Sequence, residues 1–491
     1  MAVCRRWRSI LLPHAYRRLI IESKTPYDRH EALSPGITPY YSYRGSIRLI
    51  ESTVDIIPRN MHIQPRKLNL IINNNITEYV NLVHHIVSLL EQQQNCILIS
   101  NIAYLTISNV DGPSFSSHNQ NYLDKSIGEM QVLAHRFIRL FPKITSVDWL
   151  GLNHNPVLLS FAKSLYVGYM SQLSKIRAEL SIIESEPNGR YNNITSLTIA
   201  KPAGPWNHLP VNPVLLKQLT ITRYSDDFCW DSFMSKDNEA VLRFNSLETL
   251  TMDMVFDFRN PATSNGSVVW VGPKTALRHK IRAPNLKTVN LELCPFSCSL
   301  LASIESPGRL QKLTIRSLYG VHLVFYDFAM TEAAKALFLE HSKSTSGTVD
   351  NVKFVDTILN LHDLAQIVRV ELHNFYSSGL KNHAYWSNVH HLRVHKNIGL
   401  LDLFNAVKKM HNLVSIYATW VFINPNYTSK EYERHMEDLF LYFPTPLPTG
   451  IKHITLKFMP KELPRAISEL LNSKIRKHIL SLVSLTISGK N

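Results

Sequence analysis

The sequence predicts an α/β solenoid, a stack of short parallel strands returned by helices or loops. Three observations predict it. A six-residue apolar phrase recurs along the chain, many copies follow a polar or proline break, and amphipathic stretches of helical period separate several of them.

The phrase is an apolar residue, two variable ones, an apolar, one variable, an apolar. It reads Ile102-Leu105-Ile107, Ile144-Val147-Trp149, Ile194-Leu197-Ile199, Leu216-Leu219-Ile221, Leu247-Leu250-Met252, Leu286-Val289-Leu291 and Leu310-Leu313-Ile315. It resumes as Ile367-Val370-Leu372, Val389-Leu392-Val394, Leu413-Ile416-Ala418, Ile451-Ile454-Leu456 and Leu482-Leu485-Ile487. Its last two apolar positions are two apart, so on a strand they face one side and the residue between them faces the other. In a chain that is 45% apolar, three fixed positions match by chance at roughly one start in ten. Context therefore carries the signal: Phe141-Pro142-Lys143 precedes Ile144, Ala283-Pro284-Asn285 precedes Leu286, and Met410-His411-Asn412 precedes Leu413. This is the strand half of a leucine-rich repeat. Regular families repeat every 20–29 residues or so. Spacings here run from about 22 to over 50 residues, which implies degenerate repeats with insertions. The competing reading is an ordinary α/β domain with leucine-rich strands.

Residues 1–22 open with Val3, Trp7, Ile10 and Leu11 at helical spacing, one apolar face that Pro13 ends. An extended piece at 18–21 follows. Residues 23–100 read as linker and N-terminal cap. Pro26, Pro35, Gly36 and Pro39 make 23–43 a loop, and 46–50 and 67–72 are short strands. The span 76–91 is helical, with Val80, Val83, Ile86, Val87 and Leu90 on one face. Residues 101–491 form the solenoid, a right-handed horseshoe of irregular repeats. Further helices are expected over 122–140, 400–410 and 463–480, covering the outer side. Polar, Gly/Pro-rich or Ser/Thr-rich loops interrupt it at 108–121, 184–193, 260–280 and 342–350.

Composition narrows the function classes. The chain has 491 residues, 19% of them charged, and a net charge of +15. That charge suits an acidic partner: nucleic acid, a phosphorylated peptide or an acidic protein face. It is dispersed, with no run of five Lys/Arg, which argues against a dedicated nucleic-acid binder. Five cysteines, an odd number in so long a chain, point to a reducing compartment, cytoplasm or nucleus. No apolar run reaches the ~20 residues needed to span a bilayer, so no membrane association is expected.

No Walker or Rossmann glycine loop, G-x-S-x-G elbow or H-E-x-x-H occurs. Cys294 and Cys298 lack a second pair at zinc spacing. His391 and His395, four apart on a strand, are separated by roughly 13 Å, too far to share one ion easily. Asp253 and Asp257 have no nucleophile or base beside them. The expectation is a protein that is not an enzyme, with no cofactor and no metal.

The residues between the inward apolar positions supply the candidate binding face. In the earlier repeats they are bland: Ser196, Thr198, Gln218, Thr220, Thr249 and Thr251. In the later ones they are Lys312, Arg316, Arg369, Glu371, His373, His391, Arg393, His395, Tyr417, His453 and Lys457. Arginine donates in a planar fork, which suits carboxylates and phosphates. The expected site is therefore a basic and imidazole-rich concave face that recognises an acidic or phosphorylated protein target. The bland alternative is a solvated strand face.

The N-terminus adds a resemblance. Val3, Cys4, Arg6, Trp7, Leu12, Pro13, Tyr16 and Leu19 resemble the C-terminal half of an F-box. With the repeats, the chain is similar to fungal F-box/leucine-rich-repeat proteins. The resemblance is specific only over these first residues. It implies a substrate-binding subunit of a cullin-type ubiquitin ligase, with Val3, Trp7, Leu11 and Pro13 as a remnant of the adaptor-facing surface. The F-box's opening leucine-proline-x-glutamate helix is absent, so adaptor binding is expected only if that helix lies upstream of Met1. Two readings compete: a leucine-rich-repeat scaffold outside ubiquitin chemistry, and a basic solenoid that binds RNA. For the first residues there is a further competitor, a mitochondrial presequence, since five arginines and no acid precede Glu22. Pro13 shortens the helix such a signal needs.

Overall fold

The computed structural model describes residues 18–22, 40–42, 46–50, 66–73, 101–110, 120–149, 156–179, 191–200, 211–222, 241–253, 280–293, 295–305, 308–316, 321–343, 368–373, 388–407, 410–422, 450–458, 465–479 and 481–489, with isolated positions within 80–91 and at 357, 430 and 434. It is a mixed α/β chain dominated by parallel strand pairing. Two compact units divide it, residues 1–224 with 228–236, and residues 225–227 with 237–491.

The first unit holds strands β1 (Arg18–Glu22), β2 (Tyr40–Ser42), β3 (Ser46–Ile50), β4 (Lys67–Asn73), β5 (Tyr104–Val110), β6 (Ser146–Trp149), β7 (Lys175–Glu179), β8 (Ser196–Ala200) and β9 (Gln218–Thr222). They pair in the order β2-β3-β1-β4-β5-β6-β7-β8-β9, all parallel except β2 with β3. Helix α1 (Gln120–Leu140) joins β5 to β6, and α2 (Pro156–Tyr169) joins β6 to β7, the crossovers that parallel neighbours require. The two helices meet through Phe137, which lies 4.4 Å from Phe141 and edge-on to Phe161 at 5.9 Å. From α2 the buried Tyr166 hydroxyl donates to the Arg177 carbonyl at 2.7 Å. Burial and nearby Asp148 push that phenol well above its usual range.

The second unit holds β11 (Thr249–Asp253), β13 (Thr288–Glu292), β15 (Arg309–Arg316), β16 (Val321–Ala329), β17 (Val368–His373), β18 (Val389–Gly399), β19 (Ser415–Phe422), β20 (His453–Phe458) and β21 (Ser484–Gly489), adjacent in that order. A small parallel sheet of β10 (Val241–Arg243), β12 (Lys280–Arg282) and β14 (Ile304–Glu305) accompanies them. The helices are α3 (Pro295–Ser303), α4 (Glu332–Ser342), α5 (Leu400–Val407) and α6 (Arg465–His478).

Register follows the apolar phrase. Leu250, Val289 and Leu313 are successive partners, as are Met252, Leu291 and Ile315. The second row runs on through Leu323 of β16 to Val370, Leu392, Ile416, Ile454 and Leu485. The inward residues Leu197, Ile221, Leu291, Leu313, Leu372, Val394 and Leu456 are 0–2% exposed. A slip of one residue would turn each of them to the other face, so burial pins the register.

Turns repeat as well. The N–H groups of Leu247, Leu286, Leu413 and Leu482 close onto the carbonyls of Phe244, Ala283, Met410 and Ile479 at 3.1–3.2 Å. Two successive N–H groups then share one carbonyl of the preceding strand: Thr145 and Ser146 on Ala103, Ser174 and Lys175 on Thr145, Thr195 and Ser196 on Ser174, Val483 and Ser484 on Lys452. Turn asparagines tie neighbours together, Asn193 to Ser171 and Asn285 to Asn245, each at 2.7 Å to a carbonyl oxygen.

Several expectations need correction. Tyr40–Ser42 is a strand, not loop. The run of parallel neighbours breaks at β16, which pairs antiparallel with both β15 and β17. Its segment VHLVFYDFA is apolar at most positions, so the six-residue phrase fits it in more than one register and does not single out one face. Leu173-Ile176-Ala178 at β7 is a further copy of the phrase, with all three residues buried. Helices α2, α3 and α4 were also unanticipated. Among the described positions of 76–91, Val80, Val83, Val87 and Glu91 are helical, and Val83 and Val87 are buried. The residues Val3, Trp7, Leu11 and Pro13, and Cys294 and Asp257, lie outside the described residues; so do 260–279, 111–119, 184–190 and 344–350 within the expected loops.

Leu313 is fully buried between Val289 and Phe325 on adjacent strands. Leu313→Ala should lower stability by about 2–5 kcal/mol, the cost of a large-to-small core change. Urea unfolding checks this; a loss below about 1 kcal/mol would show that the site collapses freely.

Candidate functional site

The outward face of the second unit gathers the charged residues, because alternation leaves them no other side. Lys312, Thr314 and Arg316 point outward from β15, opposite Tyr326, Val324 and His322 of β16. Arg369 and Glu371 come from β17, opposite His391 and Arg393 of β18, and Arg393 lies opposite Tyr417 of β19. Lys457 of β20 pairs with Thr419.

Glu371 is the centre. Its side chain is 14% exposed and lies 3.7 Å from Arg369, 3.6 Å from Arg393 and 3.5 Å from His322. A carboxylate so enclosed holds the two guanidiniums in place, each of which keeps part of its fork toward solvent, with Arg369 30% and Arg393 44% exposed. Tyrosine rings complete the seat. The Arg369 guanidinium lies 5.8 Å from the Tyr326 ring, and Arg393 and Lys457 lie 5.6 and 5.2 Å from the Tyr417 ring. Such contacts are worth about 0.5–1 kcal/mol at exposed sites, enough to bias a rotamer and to order a cation before a ligand arrives. The Arg369 Nε is buried with no hydrogen-bond partner.

The histidines are held too. His391 Nδ1 and Ser415 Oγ share a hydrogen bond at 2.6 Å, and His453 Nδ1 and Ser484 Oγ one at 2.9 Å. His395 packs on Tyr417 at 6.0 Å. Burial lowers the affinity of His391 for a proton, and the charges of Arg369, His390, Arg393 and His453 lower it further. His391 and His395 belong to separate side-chain contacts on Ser415 and Tyr417. Of His373 only the backbone is described, opposite His395. Among the described residues no group of three or more His, Cys, Asp or Glu is placed to hold a metal.

Not all the expected residues meet. Arg369, Glu371, Arg393, Tyr417 and Lys457 form one cluster. Lys312 and Arg316 stand one strand away, with β16 between them and β17. His322 and Tyr326 were missed because 321–329 was not read as a strand, although its apolar run is strand-like. Trp420, exposed at a bulge in β19, was also missed. The first unit is different in character. There Lys67 lies over the Tyr104 ring at 5.4 Å, and Asp148, 3.6 Å from Arg177, has its carboxyl pushed up by burial.

No protein-family model matches the chain. No curated protein matches its sequence. Among the described residues no helix is long and apolar enough to cross a membrane.

His391 stays neutral in the fold more readily than in the unfolded chain, which therefore binds more protons as pH falls. Its contribution is intact above the ordinary histidine value, about 6.5, and is lost below it. His391→Asn should thus flatten the fall in urea midpoint between about pH 7.5 and pH 5.5. Identical slopes in variant and wild type would show that the folded imidazole takes its proton unhindered.

Proposed function

We propose that the chain is a protein-recognition scaffold whose outward β17–β20 face binds an acidic or phosphorylated segment of a protein target. The observation that carries this is the cation cluster around Glu371. Two arginines and a lysine sit on two tyrosine rings, and among the described residues Glu371 is the carboxylate beside the two arginines. Ordered guanidinium forks bind carboxylates and phosphates with little entropic loss. The recurring turns, shared carbonyls and register-matched apolar pairs support the finer architecture, a right-handed leucine-rich-repeat-like solenoid with irregular repeats. The resemblance of residues 3–19 to an F-box supports the finer role, substrate selection for a cullin-type ubiquitin ligase, in which this chain presents a target and catalyses nothing itself. A leucine-rich-repeat scaffold outside ubiquitin chemistry keeps the same site and drops the adaptor; co-purification with the cullin-linking adaptor separates the two.

The site is tested with a library of fluorescent acidic and phosphorylated peptides against the full chain. Arg393→Ala should weaken the best binder by about 1.5–3 kcal/mol, the range for a hydrogen bond to a charged group. Arg393→Lys should recover little if the contact is bidentate. Thermal melts of both variants should show a cooperatively folded protein, since Arg393 keeps 44% of its side chain exposed. Affinity unmoved by Arg393→Ala in a folded protein would assign recognition elsewhere.

Glu371→Gln supplies an opposite sign. It removes the carboxylate beside the two arginines, so acidic peptides should bind more tightly at low salt. Stability should fall by about 1–3 kcal/mol, because the cations lose their shared partner. Equal affinity for wild type and Glu371→Gln would show that the cluster does not read charge.

A further inference from the structure

Trp420 is an anomaly in β19. Its φ is +62°, the left-handed region that a bulky side chain rarely adopts. The other non-glycine described residue at positive φ is Asp327, a type at home there. The ring is 52% exposed, so burial returns little against that conformational cost. The cause is a bulge. His395 and Ile398 of β18 pair with Thr419 and Val421 of β19, and these pair with Lys457 and Phe458 of β20. Against β20 Trp420 is the extra residue, displayed between Thr419 and the buried Val421. Strain that persists without a packing return is characteristic of binding sites.

The surroundings define what the ring would meet. Thr419, its neighbour, lies opposite both His395 and Lys457, and Tyr417 carries Arg393 and Lys457. Trp420 therefore follows Thr419 on β19, three residues along the strand from Tyr417. Three residues of extended chain span about 10 Å.

We propose that Trp420 is the apolar anchor of this site. Its partner is an extended acidic protein segment that places a bulky apolar side chain about three residues from its carboxylate or phosphate. The inference rests on the recognition reading above and adds a second determinant to it. Tryptophan and arginine are both enriched among the few residues that carry most of the binding energy of protein interfaces. A single-stranded nucleic acid is the competing class of partner, but it favours a row of open rings on which bases stack. Here the Tyr417 ring already carries two cations and Tyr326 one, which leaves one largely open ring among the described residues of these strands, the Trp420 indole.

The test measures fluorescence anisotropy of the full chain with paired acidic peptides, identical except for leucine or alanine three residues from the acidic group. Wild type should bind the leucine set at least about tenfold more tightly, on the order of one buried large side chain. Trp420→Gly should abolish that preference and leave the affinity for the alanine set unchanged, while Trp420→Phe retains it. Trp420→Gly should also melt no lower than wild type, because glycine adopts the positive φ freely. Equal binding of both sets by wild type overturns the anchor alone and leaves the charge reading standing. A lower melting temperature of Trp420→Gly with the preference retained assigns the ring to the fold and overturns the anchor too. If neither set binds and Arg393→Ala changes nothing, the recognition reading falls with it. Salt-steep binding of a single-stranded RNA oligonucleotide that requires Trp420 would replace the peptide by a nucleic acid.

Discussion

The alternation of two residues along each strand, locked by burial of the inward pair, is the constraint on which the rest depends. Leu392 and Val394 cannot leave the core, so Arg393 has no choice of side. Leu372 and Val370 fix Glu371 in the same way. The cluster is assembled by the core, strand by strand, without any loop having to hold a special conformation. A site built so draws its precision from the packing of aliphatic side chains, the most rigid part of the molecule.

The electrostatic arrangement follows from that rigidity. Parallel pairing brings Glu371 beside Arg393, and β16 brings His322 to its other side. Charges fixed at these positions would repel one another without the central carboxylate. With it, they form a preorganised surface that still offers donors to solvent. The tyrosines act on the same principle, since Tyr417 receives both Arg393 and Lys457. Recognition surfaces that are ordered before binding lose less freedom on binding.

Much of this was legible in the sequence. The phrase located every strand that carries an expected site residue, and its offset separated inward from outward positions. What escaped lay elsewhere. His322 and Tyr326 sit on a strand so evenly apolar that the repeat phrase fits it in more than one register. Val157, Leu158, Phe161, Ala162, Leu165, Tyr166 and Tyr169 mark α2 at helical period, a signal that attention to strands left unused. The contacts of Glu371 could not be read from one dimension, because the carboxylate's partners come from three strands and only the insertion of β16 supplies one of them. Trp420 gave no signal at all, since a bulge is a mismatch between neighbours and appears only when their registers are compared.

The β15–β16–β17 meander also bears on the order in which this unit can form. Parallel neighbours are joined through crossovers; β20, for example, can meet β19 only after the chain from Phe422 to His453 has closed on itself. The β15–β16 pair needs just the short passage from Arg316 to Val321. Loop-closure entropy is smallest there, and antiparallel hairpins close in microseconds. Phe325 and Phe328, 5.6 Å apart on β16, give that hairpin an apolar face of its own. The one interruption in the parallel order is thus the cheapest place for the second unit to nucleate. It offers two ready edges, one for β13 and one for β17, from which pairing can spread in both directions.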